Sequence, residues 1–169
     1  MLSPNIPNFK QSLMDLWAKP EESSTIFQTA DLIEALWANA VVTGYEISPC
    51  APVPFSTYPG FTPLAPGNIG TEETAAICFE AACLQMVQAT LFPIIPPALT
   101  TPPPIFLPGG LATPGLLTTL LTTIFLLGSS ATVAFQTADQ VADAIAGYLQ
   151  GWTILVTIPP AGPIPVPIS

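Results

Sequence analysis

Apolar residues recur along this chain at helical spacing in five stretches and alternate in one. Phe9, Leu13, Leu16 and Trp17 share one side of a predicted helix over 8–18 that stops before Pro20. After the polar loop Glu21–Ser24, a second helix is predicted from Thr25 to about Gly44. It places Ile26, Ala30, Ile33, Trp37, Ala40 and Val41 on one face. Thr25 and Gln28 stand at capping-box spacing, and Gly44 suits a C-terminal cap. A third helix, 71–91, opens on Thr71 with Glu72 and Glu73 in its first turn, where the helix dipole favours carboxylates. Beyond that turn only Glu80 is charged and apolar residues lie on nearly every side, the mark of a buried central helix. Thr113-Pro114 is a good start for a helix over Leu116–Leu127, ended by Gly128, with a broad leucine stripe and threonines opposite. The fifth helix, 133–150, points Ala138, Val141, Ile145, Tyr148 and Leu149 inward. Residues 152–158 then alternate, Trp152, Ile154, Val156 and Ile158 against Thr153, Leu155 and Thr157, which predicts a strand.

The pattern is duplicated. Phe27-Gln28-Thr29-Ala30-Asp31 returns as Phe135-Gln136-Thr137-Ala138-Asp139. At the same offset Leu13 meets Leu121, Trp17 meets Phe125, Ile33 meets Val141, Trp37 meets Ile145 and Val41 meets Leu149. The repeated element could display two copies of a binding motif to one partner. The match runs along the packing face, however, which favours a structural unit used twice: helical hairpins at 10–44 and 118–151 related by a quasi-twofold.

Proline-rich connections join these units. Residues 1–9 and 159–169 read as extended terminal arms, the second as a clasp laid on a neighbouring chain. Residues 92–110 read as a stiff polyproline-like span. Residues 46–70 form a long loop whose Phe55, Tyr58 and Phe61, with Tyr45 just before it, either pin it to the core or face another subunit. The expected fold is mainly α, a single domain over 1–169. Duplicated helical hairpins surround a central buried helix, with long Pro-rich connections, one short C-terminal strand and a helical core spanning 10–158.

Composition narrows the function. Half of the residues are hydrophobic, only 8% are charged, and 22 are proline, so a folded core with stiff connections fits better than disorder. Two lysines stand against eleven carboxylates, a formal net charge of −9. That balance argues against nucleic acid and against anionic lipid, both of which need Lys or Arg. No charge occurs between Glu80 and Asp139 or after Asp143. A lone soluble chain normally spreads charge over such lengths, so these regions are expected to be buried or covered by partner chains. Gly115–Ala134 is uncharged, but its continuous apolar part is far short of the ~20 residues of a spanning helix. The N-terminus has no basic region followed by an apolar run, so no signal peptide is expected.

Candidate chemistry is sparse. The chain has no histidine. Cys50, Cys78 and Cys83 are an odd number without zinc-ligand spacing and read as small buried hydrophobes. Glu21/Glu22 lie in a loop and Glu72/Glu73 at a helix start. Asp139 and Asp143 share a helix face, as a catalytic pair would, but that role needs a closed pocket and split pKa values. A solvated face like that of Asp31 and Glu34 is the simpler expectation. Gly109-Gly110 lacks the Lys and Ser/Thr of a phosphate loop. No catalytic, cofactor-binding or metal-binding residue is expected, and no cofactor.

The arms at 1–9 and 159–169, the span 92–110 and the hairpins at 10–44 and 118–151 together resemble minor structural proteins of tailed-bacteriophage virions. The likeness is one of style over the whole chain. It implies a non-enzymatic subunit of a capsid, neck, tail or baseplate, forming homo-oligomers and contacting other virion proteins, located in the virion after assembly in the host cytoplasm. A module binding an apolar ligand or a membrane surface through Leu116–Leu127 is the alternative.

Overall fold

The computed structural model describes residues 2–18, 25–43, 54–61, 72–91, 105–108, 115–128, 134–157 and 162–169. Its helices are α1 (Ile6–Trp17), α2 (Thr25–Trp37), α3 (Glu72–Leu91), α4 (Leu116–Gly128) and α5 (Ala134–Gln150). A small sheet contains β1 (Ile105–Pro108), β2 (Thr153–Thr157) and β3 (Ile164–Pro167). The protein is mainly α, as the periodicity predicts.

The N-terminal residues are not an extended arm. Ser3–Asn5 form a 3₁₀ turn that leads directly into α1, and Leu2 is buried. Pro4 and Pro7 sit in the first turns of these two elements, where a missing N–H costs nothing because that donor has no partner inside the helix. The second helix also ends earlier than its spacing suggests, at Trp37 rather than near Gly44. Asn39 and Ala40 donate to Leu36 and Trp37 in tight i,i+3 bonds, and Val41–Thr43 then leave as extended chain. The expected caps at Gly44, Thr71 and Thr113-Pro114 lie outside the described residues. So do Tyr45, the loop Glu21–Ser24 and the side chain of Thr25.

α1 and α2 form one hairpin, α4 and α5 the other, and α1 lies along α5 to join them. The duplication holds at the level of burial. From Asn8 to Ala18 and from Leu116 to Leu126 every aligned position has the same degree of burial. Leu13 and Leu121 are fully buried, as are Ala30 and Ala138, and Trp37 and Ile145; Ile33 and Val141 lie in the same core. The surroundings differ between the copies. A strict twofold would place α2 against α4, yet α3 is the helix that lies along α4. α3 also reaches the first hairpin, where the buried Trp37 indole N–H donates to Thr90 Oγ1 at 2.8 Å.

Residues 54–61 are held to the core by their rings. Phe55, Tyr58 and Phe61 are buried, and Phe61 makes edge contacts with Phe27, Phe55 and Phe79. Gly60 rests on α3, its N–H donating to Gln85 Oε1, and a Cβ there would come within 2.8 Å of the Ala82 backbone nitrogen. Only glycine permits that approach.

The C-terminal residues fold back on their own chain. β2 is the middle strand, antiparallel to β1 on one side and to β3 on the other. Part of the predicted polyproline span is therefore a strand, with Phe106 opposite Val156. Ile164, Val166 and Ile168 alternate with Pro165 and Pro167. The N–H of Ile168 donates to Trp152 at 3.1 Å, so residues of this parity face β2 and the prolines fall where no donor is needed. Past β3, Ile168 is buried and pairs with Val42, while Ser169 exchanges two backbone bonds with Val41. The expected intersubunit clasp is thus an internal one, and both edges of β2 are already taken.

Candidate functional site

The carboxylate pair on α5 is not enclosed. Asp139 and Asp143 are 42% and 60% exposed, and each binds Lys10 Nζ of α1, at 2.8 and 3.0 Å. Hydrogen bonding to these two carboxylates holds the Lys10 pKa above its ordinary value. The pair therefore ties α1 to α5 across the surface, and the closed pocket that a catalytic pair needs is not built around it. Asp31 is exposed as expected. Glu34 is not simply solvated: it is half-buried and accepts the Phe55 N–H at 3.0 Å, fastening residues 54–61 to α2.

Glu80 has a role that its isolation in the sequence did not disclose. Its buried carboxylate accepts the N–H of Gly115 and of Thr118, both at 2.7 Å, and so caps the first turn of α4 from another helix. Gly115 has φ +82°, a left-handed turn that presents its N–H to Glu80. Two free backbone donors and the positive end of a helix dipole stabilise the buried charge. Cys83 is fully buried close by, and burial together with the Glu80 charge pushes its thiol pKa well up. Burial does the same to the Tyr148 phenol, with Cys83 and Glu80 adding to the rise. Cys78 and Cys83 are free and buried, so both behave as inert small hydrophobes; Cys50, Glu21, Glu22, Gly109 and Gly110 lie outside the described residues. Among the described residues, no group of three His, Cys, Asp or Glu side chains is placed to hold a metal ion.

The outer face of α4 is apolar. Leu116, Leu120 and Leu126 are 45%, 42% and 59% exposed. The predicted separation of leucine from threonine is not what α4 presents. Leu117 and Leu121 point inward, and Thr119 and Thr123 share the outer face with the three exposed leucines. The hydroxyl of Thr123 donates to the Thr119 carbonyl, and that of Thr119 to the Gly115 carbonyl, both at 2.9 Å. Bonds of this kind turn the hydroxyls back onto the helix. The face is then leucine and threonine methyl throughout.

The first copy of the repeat gives an internal reference. Leu116, Thr119, Leu120, Thr123 and Leu126 align with Asn8, Gln11, Ser12, Asp15 and Ala18, which are likewise exposed. There the surface is polar at all but Ala18: Gln11 Nε2 donates to Asp15 Oδ1 at 2.8 Å. Asn8 and Ser12, with Asn5 and Asn39, rim an open groove of about 160 Å³ floored by Phe9 and Leu36. The same helix positions present mostly polar side chains in one copy and leucine and threonine in the other.

Among the described residues no helix is long and apolar enough to cross a membrane. The chain matches no protein-family model, no curated protein and no solved structure.

Proposed function

We propose that this chain is a non-enzymatic structural subunit that packs against other chains in a large protein assembly. The observation that carries this reading is the outer face of α4, apolar and charge-free where its equivalent on α1 is polar. Burying three half-exposed leucines would contribute roughly 1 kcal/mol each, taking half of the value for complete burial. An apolar surface whose hydroxyls already have partners loses little when water leaves.

The finer reading is a virion subunit of a tailed phage, in capsid, neck, tail or baseplate. It rests on the general style of the sequence: few charges, duplicated hairpins and proline-rich connections. The terminal segments no longer add to it, since both belong to the body of the fold. Mass spectrometry of purified particles from the producing culture tests it. Recovery of the chain in fixed stoichiometry with other particle proteins is expected; recovery only in the free soluble fraction would overturn it.

The exposed leucines also suit a module that binds an apolar ligand or a membrane surface. Such a helix ordinarily carries Lys or Arg beside its apolar face, and α4 has none. Liposome flotation separates the two readings, because only the membrane module co-migrates with vesicles.

A further inference from the structure

We infer that proline closes both edges of the three-stranded sheet to a further strand, so that chains crowded together do not join by strand addition. The parity of the ladder shows where the edges point. In an antiparallel pair, alternate residues turn both N–H and C=O toward the same neighbour. The Ile168 N–H donates to Trp152 at 3.1 Å. Two and four residues along β2, Ile154 and Val156 therefore also turn to β3, opposite Val166 and Ile164. Thr153, Leu155 and Thr157 turn the other way, and Leu107 and Ile105 of β1 stand opposite the last two. The residues that turn away from β2 are then Phe106 and Pro108 on one edge and Pro165 and Pro167 on the other. Of these, Phe106 alone carries an N–H.

The placement of proline follows the edges. β2, paired on both sides, has none, and no residue of β1 or β3 that turns toward β2 is proline. Further along the β3 edge the chain occupies its own backbone groups. The Pro167 carbonyl takes the Thr43 N–H at 3.1 Å, and Ser169 exchanges both of its bonds with Val41. An edge with regular donors and acceptors is a template for another strand, and proteins commonly blunt it with charge. Residues 105–108 and 162–169 have no charged side chain, and Ile164 is 58% exposed beside Pro165. Proline does the blunting here by removing the donor.

Returning the donors tests this. Pro165→Thr and Pro108→Thr each restore one outward N–H, and the double variant restores one at each edge. Ile164→Thr is the control, since its N–H turns toward β2 and the edge is unchanged. Sedimentation velocity, thioflavin T fluorescence and the denaturation midpoint are measured on the full chain over a concentration series. The double variant should form thioflavin-positive species at a concentration on the order of tenfold lower than the wild type or Ile164→Thr, the effect of about one net hydrogen bond. Its midpoint should not fall below that of Ile164→Thr, and each single variant should show the same change more weakly. Helix-mediated association leaves the thioflavin signal flat, so the assembly reading stands or falls separately. Association of the double variant no stronger than that of the wild type would overturn the inference. So would equal association of Ile164→Thr, or a gain seen only where the midpoint has dropped, because unfolding and not the edge would then be its source.

Discussion

α1 and α4 occupy equivalent places in two copies of one hairpin, and from Asn8 to Ala18 and Leu116 to Leu126 they are buried alike position by position. Inward, their chemistry agrees: Phe9 and Leu117, Leu13 and Leu121 fill the same core. Outward, it diverges from Asn, Gln, Ser and Asp to Leu and back-bonded Thr. The inward face fills a core in both copies, and the outward difference is additional to that shared requirement. The outward surface is mostly polar in one copy and apolar in the other, at positions exposed in both, and this contrast is what the proposed partner contact rests on.

The inward agreement can be broken at the aligned pair Trp37 and Ile145, both fully buried. Trp37→Ala should cost about 3–5 kcal/mol and Ile145→Ala about 2–5 kcal/mol, measured by denaturant unfolding. Trp37→Ala should lie at the upper end, because it also strips Thr90 of its indole partner. Equal and small losses at both sites would mean that the two cores are not packed as described.

The C-terminus is tied to the first copy through Val41–Thr43, which bond to residues 167–169. Ile168→Ala should therefore destabilise the monomer by about 2–4 kcal/mol, a buried aliphatic truncation. Truncation after Ile158 should do more, since it also uncovers β2. A truncated chain with an unchanged denaturation midpoint would restore the view of residues 159–169 as an external clasp.

A smaller effect is expected at Glu80, which caps α4 from another helix. Glu80→Gln keeps the shape but loses the charge and one acceptor, and should cost about 1–2 kcal/mol. Hydrogen exchange should quicken first in the opening turn of α4. Unchanged exchange there would remove the cap from the reckoning.

The mildest effect is on alkaline stability. The folded pKa of Cys83 lies above the ordinary thiol value of 9.0, and burial is the main cause. The folded state thus holds its proton more tightly than the unfolded state. Stability is fully present below about pH 9 and falls as pH rises toward the folded pKa. Tyr148 and Lys10 act in the same direction from higher ordinary values. Cys83→Ala should delay the onset of this loss, seen as a flatter plot of unfolding midpoint against pH between 9 and 10; an identical plot would exclude Cys83 as its source.

Much of this fold is legible in the residues. Periodicity locates all five helices and the strand at 153–157, and the duplicated Phe-Gln-Thr-Ala-Asp predicts the equal burial of Ile33 and Val141. The failures have local causes. Pro4 and Pro7 read as breakers, although in a first turn they are tolerated. Ala40 keeps helical spacing after the helix has ended because it is buried in the extended chain as well, whereas Val41 is only half-buried and Val42 takes the core position. The C-terminal prolines were legible in principle: alternating with Ile164, Val166 and Ile168, they spare every N–H that faces β2. Glu80 could not be read, since its partners Gly115 and Thr118 are far along the chain. The α4 face was half legible. Its lack of charge was plain, but which leucines turn outward depends on where α3 and α5 lie.

Exchanging the outward residues of one copy for those of the other tests the origin of that face most directly. Leu116→Asn, Leu120→Ser and Leu126→Ala together give α4 the surface of α1 at those positions. If the proposed partner contact lies on this face, sedimentation equilibrium should find the wild type associating and the triple variant monomeric, with thermal unfolding no less cooperative. Loss of folding in the triple variant, or association as strong as before, would contradict the assignment of this face to a partner.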